Sequence, residues 1–351
     1  TLQGTDSFIS KLNKNGETLW TQRLNTSGFN TEDKAFGITV ASDNEIYITG
    51  YIEGDIDGNI NAGYRDAYVS KFDSNGNKKW TKTIKSDTED ISFNIKSDSN
   101  SNIYIAGYTK GDISTASPNK EKHKDGFISK FDNNGNKKWT KEIGSSMNDG
   151  FHDLAISQSE EFIYAVGYTF GDYSNSLKTI FTTKPYQGIL ISKIRNDGVI
   201  QWEKLSYCGL YENLSVNALG VLQIPNRRIN TTDHSNKMHS ITIDKNDNLY
   251  IGGSLTNKWG YNELLLSKHD KDGNFISNMY DINALNNDHG QVEAISTDPN
   301  GNDLYITTFQ NKNNDSGTKN IYNNGGDLIK YIRNDGAAKF SINGSPTPGK
   351  V

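Results

Sequence analysis

The chain has 351 residues, 37 basic against 42 acidic, and a formal net charge of −5 with its Lys-Lys pairs dispersed, so no nucleic-acid footprint is present. One cysteine, Cys208, excludes an internal disulfide, and no apolar stretch approaches the roughly 20 residues needed to insert across a bilayer. Hydrophobic residues reach only 33%, a balance compatible with disorder, but 11% aromatics and a strict periodicity argue for an ordered fold.

In chain order, a pair of alternating stretches starts near Phe8 and ends at Trp20. It returns as Asp66 to Lys82 and, almost residue for residue, as Asp125 to Lys141. A weaker copy ends at Trp202, so the tryptophans step by 60, 59 and 63 residues (20 to 80, 80 to 139, 139 to 202). Such a unit cannot bury its apolar face alone and must stack on copies of itself, which predicts one repeat domain over 1–351. In the unit after Trp80, Ile91 to Lys96 alternates and Asn102 to Tyr108 is a denser apolar run suited to burial between sheets. Gly126 to Phe131 and Lys137 to Ile143 then flank Asp132-Asn133-Asn134-Gly135-Asn136, a five-residue polar link whose Asn-Gly marks a hairpin. Four antiparallel strands, A to D, make one blade, so the predicted fold class is all-β: a β-propeller of about six four-stranded antiparallel blades, five or seven being the alternatives.

The B strand recurs at Ile46, Ile103, Ile163, Leu249 and Leu304, giving five A–B pairs. C–D pairs start near Phe8, Tyr68, Phe127, Leu190, Leu265 and Leu328, giving six. The chain thus opens in mid-repeat, as a window cut from a longer array would, unless unrecognised strands complete a split blade. Residues 212–237 are an insertion before the A strand Met238 to Asp244. An exported protein would carry its targeting segment outside this stretch, since Thr1 to Gly4 is not a signal peptide.

The run Gly54-Asp55-Ile56-Asp57-Gly58-Asn59-Ile60-Asn61-Ala62-Gly63, followed by Asp66 to Asn77 and Trp80-Thr81, resembles the bacterial SBBP (seven-bladed beta-propeller) repeat. The resemblance is close from 1 to about 145 and fades in the last two repeats. The Gly-Asp-Ile-Asp-Gly-Asn loop is replaced by Ser114 to Lys124 and then by Tyr173 to Tyr186. The resemblance implies a secreted or surface-displayed protein, often part of a larger chain, built on a repeat without catalytic activity of its own.

Several groups invite a chemical reading. The turns Asp73 to Asn77, Asp132 to Asn136 and Asp270 to Asn274 suggest calcium, but each sits at a C–D hairpin where Asp and Asn bond their own backbone, and the turn reading is favoured. Asp55, Asp57 and Asn59 are the better metal candidates, with calcium as the ion and no other cofactor expected. Asp33, Asp90 and Asp149 precede A strands, where they either ring a channel mouth or fix the D–A turns, the second being favoured. The recurring tryptophans are assigned to packing between blades. Trp259 and Tyr261, in a B–C loop outside the repeat scheme, are the aromatic ligand contacts of choice; Tyr173 and Tyr186 join them, and Arg227 and Arg228 in the insertion supply donors for carboxylates.

The six histidines have no HExxH spacing, and no nucleophile elbow or phosphate loop is present, so an enzyme acting on polysaccharides ranks third. The leading expectation is a non-catalytic extracellular or cell-surface propeller serving as a binding or adhesion module for a glycan or protein. The alternative is a self-assembling structural subunit of a surface appendage, layer or virus particle.

Overall fold

Alternation at period two, broken by Asx-Gly turns, produces strands throughout. The computed structural model describes residues 5–28, 31–113, 123–170, 188–206, 215–216, 222–223, 237–256, 262–280, 289–297, 303–311, 320–323, 328–330 and 337–341, among which there is no helix. A hairpin of β1 (Ser7–Leu12) and β2 (Thr18–Leu24) comes first. Three four-stranded antiparallel sheets follow: β3 (Lys34–Val40), β4 (Ile46–Ile52), β5 (Asp66–Phe72) and β6 (Lys78–Ile84); β7 (Asp90–Ser97), β8 (Ile103–Thr109), β9 (Asp125–Phe131) and β10 (Lys137–Ile143); β11 (Asp149–Ile156), β12 (Phe162–Thr169), β13 (Gly188–Arg195) and β14 (Ile200–Ser206). Each is ordered A-B-C-D, the blade of a β-propeller.

Within the insertion, β15 (Ser215–Val216) and β16 (Leu222–Gln223) form a small hairpin. The next blade is β17 (Lys237–Ile243), β18 (Leu249–Thr256), β19 (Asn262–His269) and β20 (Phe275–Tyr280), so the A strand after the insertion lies where the repeat placed it. The last A–B pair is β21 (His289–Thr297) and β22 (Asp303–Asn311). The C–D pair expected from Leu328 is a correction. There β23 (Asn320–Asn323) and β24 (Leu328–Lys330) form a hairpin that extends the β17–β20 sheet, while β25 (Ala337–Ser341) pairs with β22. Only four residues separate β23 from β24, so the local hairpin closes at lower entropic cost than a pairing with β22. The chain divides into two compact units, Thr1–Ala165 with Lys193–Trp202, and Val166–Ser192 with Glu203–Val351.

In the first unit the B strands β4 and β8 are buried along their whole length. Tyr47, Val69 and Ile84 of one blade pack with Ile95, Ile105, Phe127 and Phe131 of the next, so the core lies between sheets. The outer rim is fastened by the repeated C–D sentence itself. Asp73 Oδ1 accepts the backbone N–H of Asn75 and Asn77, its Oδ2 accepts the Asn77 amide, and Lys79 pairs with it at 2.9 Å. Asp132 is held in the same way, and these donors keep both carboxyls well below the usual range. The turn closes on a glycine at positive φ, +87° at Gly76, +81° at Gly135 and +91° at Gly198.

That glycine is also where the preceding blade's tryptophan rests. A Cβ on Gly76 would stand 2.8 Å from the Trp20 ring, one on Gly135 3.2 Å from Trp80, and one on Gly198 3.0 Å from Trp139. Trp20 and Trp139 donate their indole N–H to Ser74 O and Asn196 O of the turn they cover. The C-strand lysine of the same blade reaches that turn too, Lys11 to Ser74 O, Lys71 to Asn133 O and Lys130 to Asn196 O. The tryptophans are half-buried and bridge the blades at the rim.

At the other end of the blades the D–A turns are tied by Asp33, Asp90 and Asp149, all buried. Asp90 accepts the N–H of Ser86 at 2.5 Å and its hydroxyl at 3.1 Å, Asp149 accepts both from Ser145, and Asp33 accepts the Thr26 hydroxyl and the Glu53 N–H. This is the turn role, not an open carboxylate ring. Burial outweighs those donors at Asp90 and pushes its carboxyl up to about 6.

Gly16 and Gly76 share a left-handed φ, but nothing lies within 4 Å of a Cβ on Gly16. Gly16→Ala is expected to cost about 1–2 kcal/mol of backbone strain, and Gly76→Ala about 1–3 kcal/mol more through overpacking against Trp20, measured by urea unfolding. Equal costs would remove the tryptophan from the rim contact. Because the folded carboxyl of Asp90 titrates near 6, above the unfolded 3.8, its proton contributes stability that is complete below about pH 4 and lost as pH rises through 6. The wild type minus Asp90→Asn difference in unfolding free energy should fall over that window by on the order of 3 kcal/mol, each pH unit of separation being worth about 1.4. A flat difference would contradict the buried-carboxylate assignment.

Candidate functional site

Among the described residues, the starts of the C strands and the D–A turns meet at one end of the blades. The first unit shows this directly: Asp90 N–H bonds Arg65 O, and Asp149 N–H bonds Lys124 O, each joining a D–A turn to the start of the preceding C strand. At that end the A-strand residue three positions after the buried aspartate is aromatic in three successive blades, Phe36, Phe93 and His152. Their rings form a row, with centroids 5.4 Å apart for Phe36–Phe93 and 5.0 Å for Phe93–His152. Phe36 is 47% exposed, His152 is half-buried, and the half-buried Phe93 packs against the buried Tyr51, Ile91 and Tyr108. Beneath it lie the buried B-strand tyrosines Tyr51, 5.9 Å from Phe36, and Tyr108, 5.8 Å from Phe93. Register shifts at Ala35/Gly37 and Ser92/Asn94 interrupt the alternation at Phe36 and Phe93, as a bulge does when it re-aims a side chain.

A charged rim surrounds the row. Arg65 lies over the Tyr51 ring, 4.4 Å from its centroid, and over Tyr64 at 4.7 Å. Its Nε donates to Glu53 at 2.9 Å, one terminal nitrogen to Glu89 at 3.2 Å, and the other to Glu32 at 3.1 Å. Its side chain is only 20% exposed. Lys34 pairs with Glu32 at 2.7 Å and Lys110 with Glu89 at 2.8 Å. The bonds from Lys34 and the Tyr51 hydroxyl lower the Glu32 carboxyl. Burial pushes Glu89 up, but Lys110, Lys124 and the Tyr108 hydroxyl more than offset it, and the carboxyl stays below its ordinary range.

Trp259, Tyr261, Arg227, Arg228, Tyr173 and Tyr186 lie outside the described residues. Asp55, Asp57 and Asn59 share one tight loop, but Asp55 Oδ1 accepts the Asn61 N–H, Asp57 pairs with Lys78 at 2.8 Å, and the Asn59 amide donates to Ile56 O and Thr81 O. The aromatic row and its rim were missed. Their signal was present as Thr-Glu-Asp at 31–33 and 88–90, each three residues before an A-strand Phe, and as a cation before the C-strand Asp at 65 and 124.

No protein-family model matches the chain, and no curated protein matches its sequence. Solved structures similar to it include a protein of unknown function from Bacteroides caccae (8% identity, TM-score 0.40, covering 79% of this chain and 76% of that one). Others are a gluconolactonase from Xanthomonas campestris (11%, 0.39, 78% and 68%) and the Kuenenia stuttgartiensis hydrazine synthase (14%, 0.41, 78% and 73%). The expectation that the chain is not an enzyme is corrected here: proteins named as enzymes are among these similar structures. Likeness at this level transfers neither activity to this chain.

Arg65→Gln would leave Glu32, Glu53 and Glu89 facing one another. The expected loss is about 2 kcal/mol in thermal or urea unfolding, between the near-zero worth of an exposed pair and the 3–5 of a buried one. Adding Glu53→Gln should recover part of it, whereas a full-sized, additive second loss would show that the rim does not act as a unit.

Proposed function

We propose that the chain is a binding propeller that receives a glycan on the row Phe36, Phe93 and His152, with the charged rim orienting it. The observation that supports this most is the repetition of a partly exposed aromatic ring at one position of three successive blades. Core packing asks for buried rings. A line of partly exposed ones offers flat apolar surface to the C–H faces of sugars, and a repeated platform suits a ligand made of repeated units. The rim adds fixed donors and acceptors of the kind that give such a site its specificity. The likeness of residues 1–145 to the SBBP repeat supports an extracellular or surface setting.

Binding is tested by affinity electrophoresis of the chain against a panel of soluble polysaccharides, with the size of the bound polymer followed to detect cleavage. Phe93→Ala and Phe36→Ala should each weaken retardation about tenfold without unfolding the chain. Trp259→Ala combined with Tyr261→Ala is the comparison, since that loop was the sequence-based choice. Unchanged binding in both phenylalanine variants would remove the row as the site.

A further inference from the structure

The two copies of the tyrosine–cation pair have different surroundings. Around Arg65 stand Glu53 from the B–C loop of its own blade, Glu32 from the D–A turn before it and Glu89 from the D–A turn after it. One repeat on, the corresponding positions hold Lys110, Glu89 and Asn148. Tyr51-Ile52-Glu53-Gly54-Asp55 aligns with Tyr108-Thr109-Lys110-Gly111-Asp112, and Glu32-Asp33, Glu89-Asp90 and Asn148-Asp149 align with one another. The cation is kept: Lys124 occupies the place of Arg65, its ammonium 3.8 Å from the Tyr108 ring centroid. Among the described residues, a guanidinium held by three carboxylates has become two ammonium groups sharing one. That one, Glu89, pairs with Lys110 at 2.8 Å and is also bonded by Arg65. Asn148 Oδ1 accepts the backbone N–H of Lys124 at 3.0 Å, so its side chain is fixed beside the pair with its amide N–H groups as donors.

We infer that Lys110 and Lys124, with Asn148, form a subsite for an anionic group of the ligand, a carboxylate or sulfate borne by a sugar, which takes the place of the carboxylates missing from this blade. The inference rests on the glycan reading and names the class of glycan. Burial, with Lys110 and Arg65 nearby, holds the Lys124 ammonium below its usual range, a penalty that a bound anion relieves. The Tyr108 ring under Lys124 also meets Phe93, 5.8 Å away, which joins the subsite to the aromatic row.

Titration calorimetry of the full chain with a short oligogalacturonate and with its methyl ester isolates the charge. The acid should bind at least about tenfold more tightly than the ester. Lys110→Glu, which restores the carboxylate of the preceding blade, should abolish that preference. Lys110→Gln should give an intermediate result, and Lys124→Arg should retain the preference. Equal affinities for acid and ester, or a preference that survives Lys110→Glu, would overturn the subsite. Displacement of the acid by equimolar free sulfate or acetate would overturn its assignment to a sugar-borne anion. If neither oligomer binds, the glycan reading falls, and inorganic sulfate alone judges the subsite. Sulfate should then shift the Lys124 backbone amide resonance in the wild type but not in Lys110→Glu, and an unmoved resonance would remove the subsite as well.

Discussion

The contact on which the first unit depends is a tryptophan seated on the turn glycine of the next blade. It links two demands of one short sequence: a left-handed turn residue, and a surface without a side chain where an indole can rest. Gly76, Gly135 and Gly198 satisfy both, and each does so for the blade before it. The neighbouring letters serve the same joint. The Asp shapes the turn, the following lysine steadies the Asp, and the C-strand lysine crosses to the turn of the next blade. Even the serine is accounted for, since Ser70 bonds Thr81 at 2.8 Å across the hairpin and Ser129 bonds Thr140 at 2.6 Å. A joint made this way can be repeated without change, which explains why the sentence at 66–82 recurs at 125–141.

With the rim fixed, the opposite end is free to differ. There Asp90 and Asp149 set their D–A turns in the same way, but the residues around them change sign from one copy to the next. Arg65 is bonded on every side and acts as a fastener between two blades, because a guanidinium can satisfy three carboxylates at once. Lys124 in the same place has a single compact charge and, among the described residues, one shared carboxylate near it. The same position is therefore a fastener in one blade and, in our proposal, a ligand contact in the next.

The strands and turns were legible because they repeat: a period of about sixty exposed the blade, and Asn-Gly and Asp-x-x-Gly exposed the hairpins. The partner of each tryptophan was not, because the glycine it covers lies more than fifty residues away and already had a sufficient explanation in its own turn. The aromatic row was hidden for a related reason. Phe36 and Phe93 stand in alternating stretches where an aromatic reads as core, and only the register shifts beside them leave the rings partly exposed. Attention to loops that break the repeat led to Trp259 and Arg227, whereas the described surface is made of residues that keep the repeat and vary its charge. The C-terminal pairing went astray because Leu328 fits the C-strand pattern, while a nearer strand at 320–323 competes for it.

The most direct measurement is a crystal structure of the chain with an acidic oligosaccharide bound. The expected result is a sugar ring against Phe93 and its carboxylate between Lys110 and Lys124. A ligand ordered on any other surface, with the Phe36–Phe93–His152 row bare, would contradict the assignment of this end of the blades as the binding face.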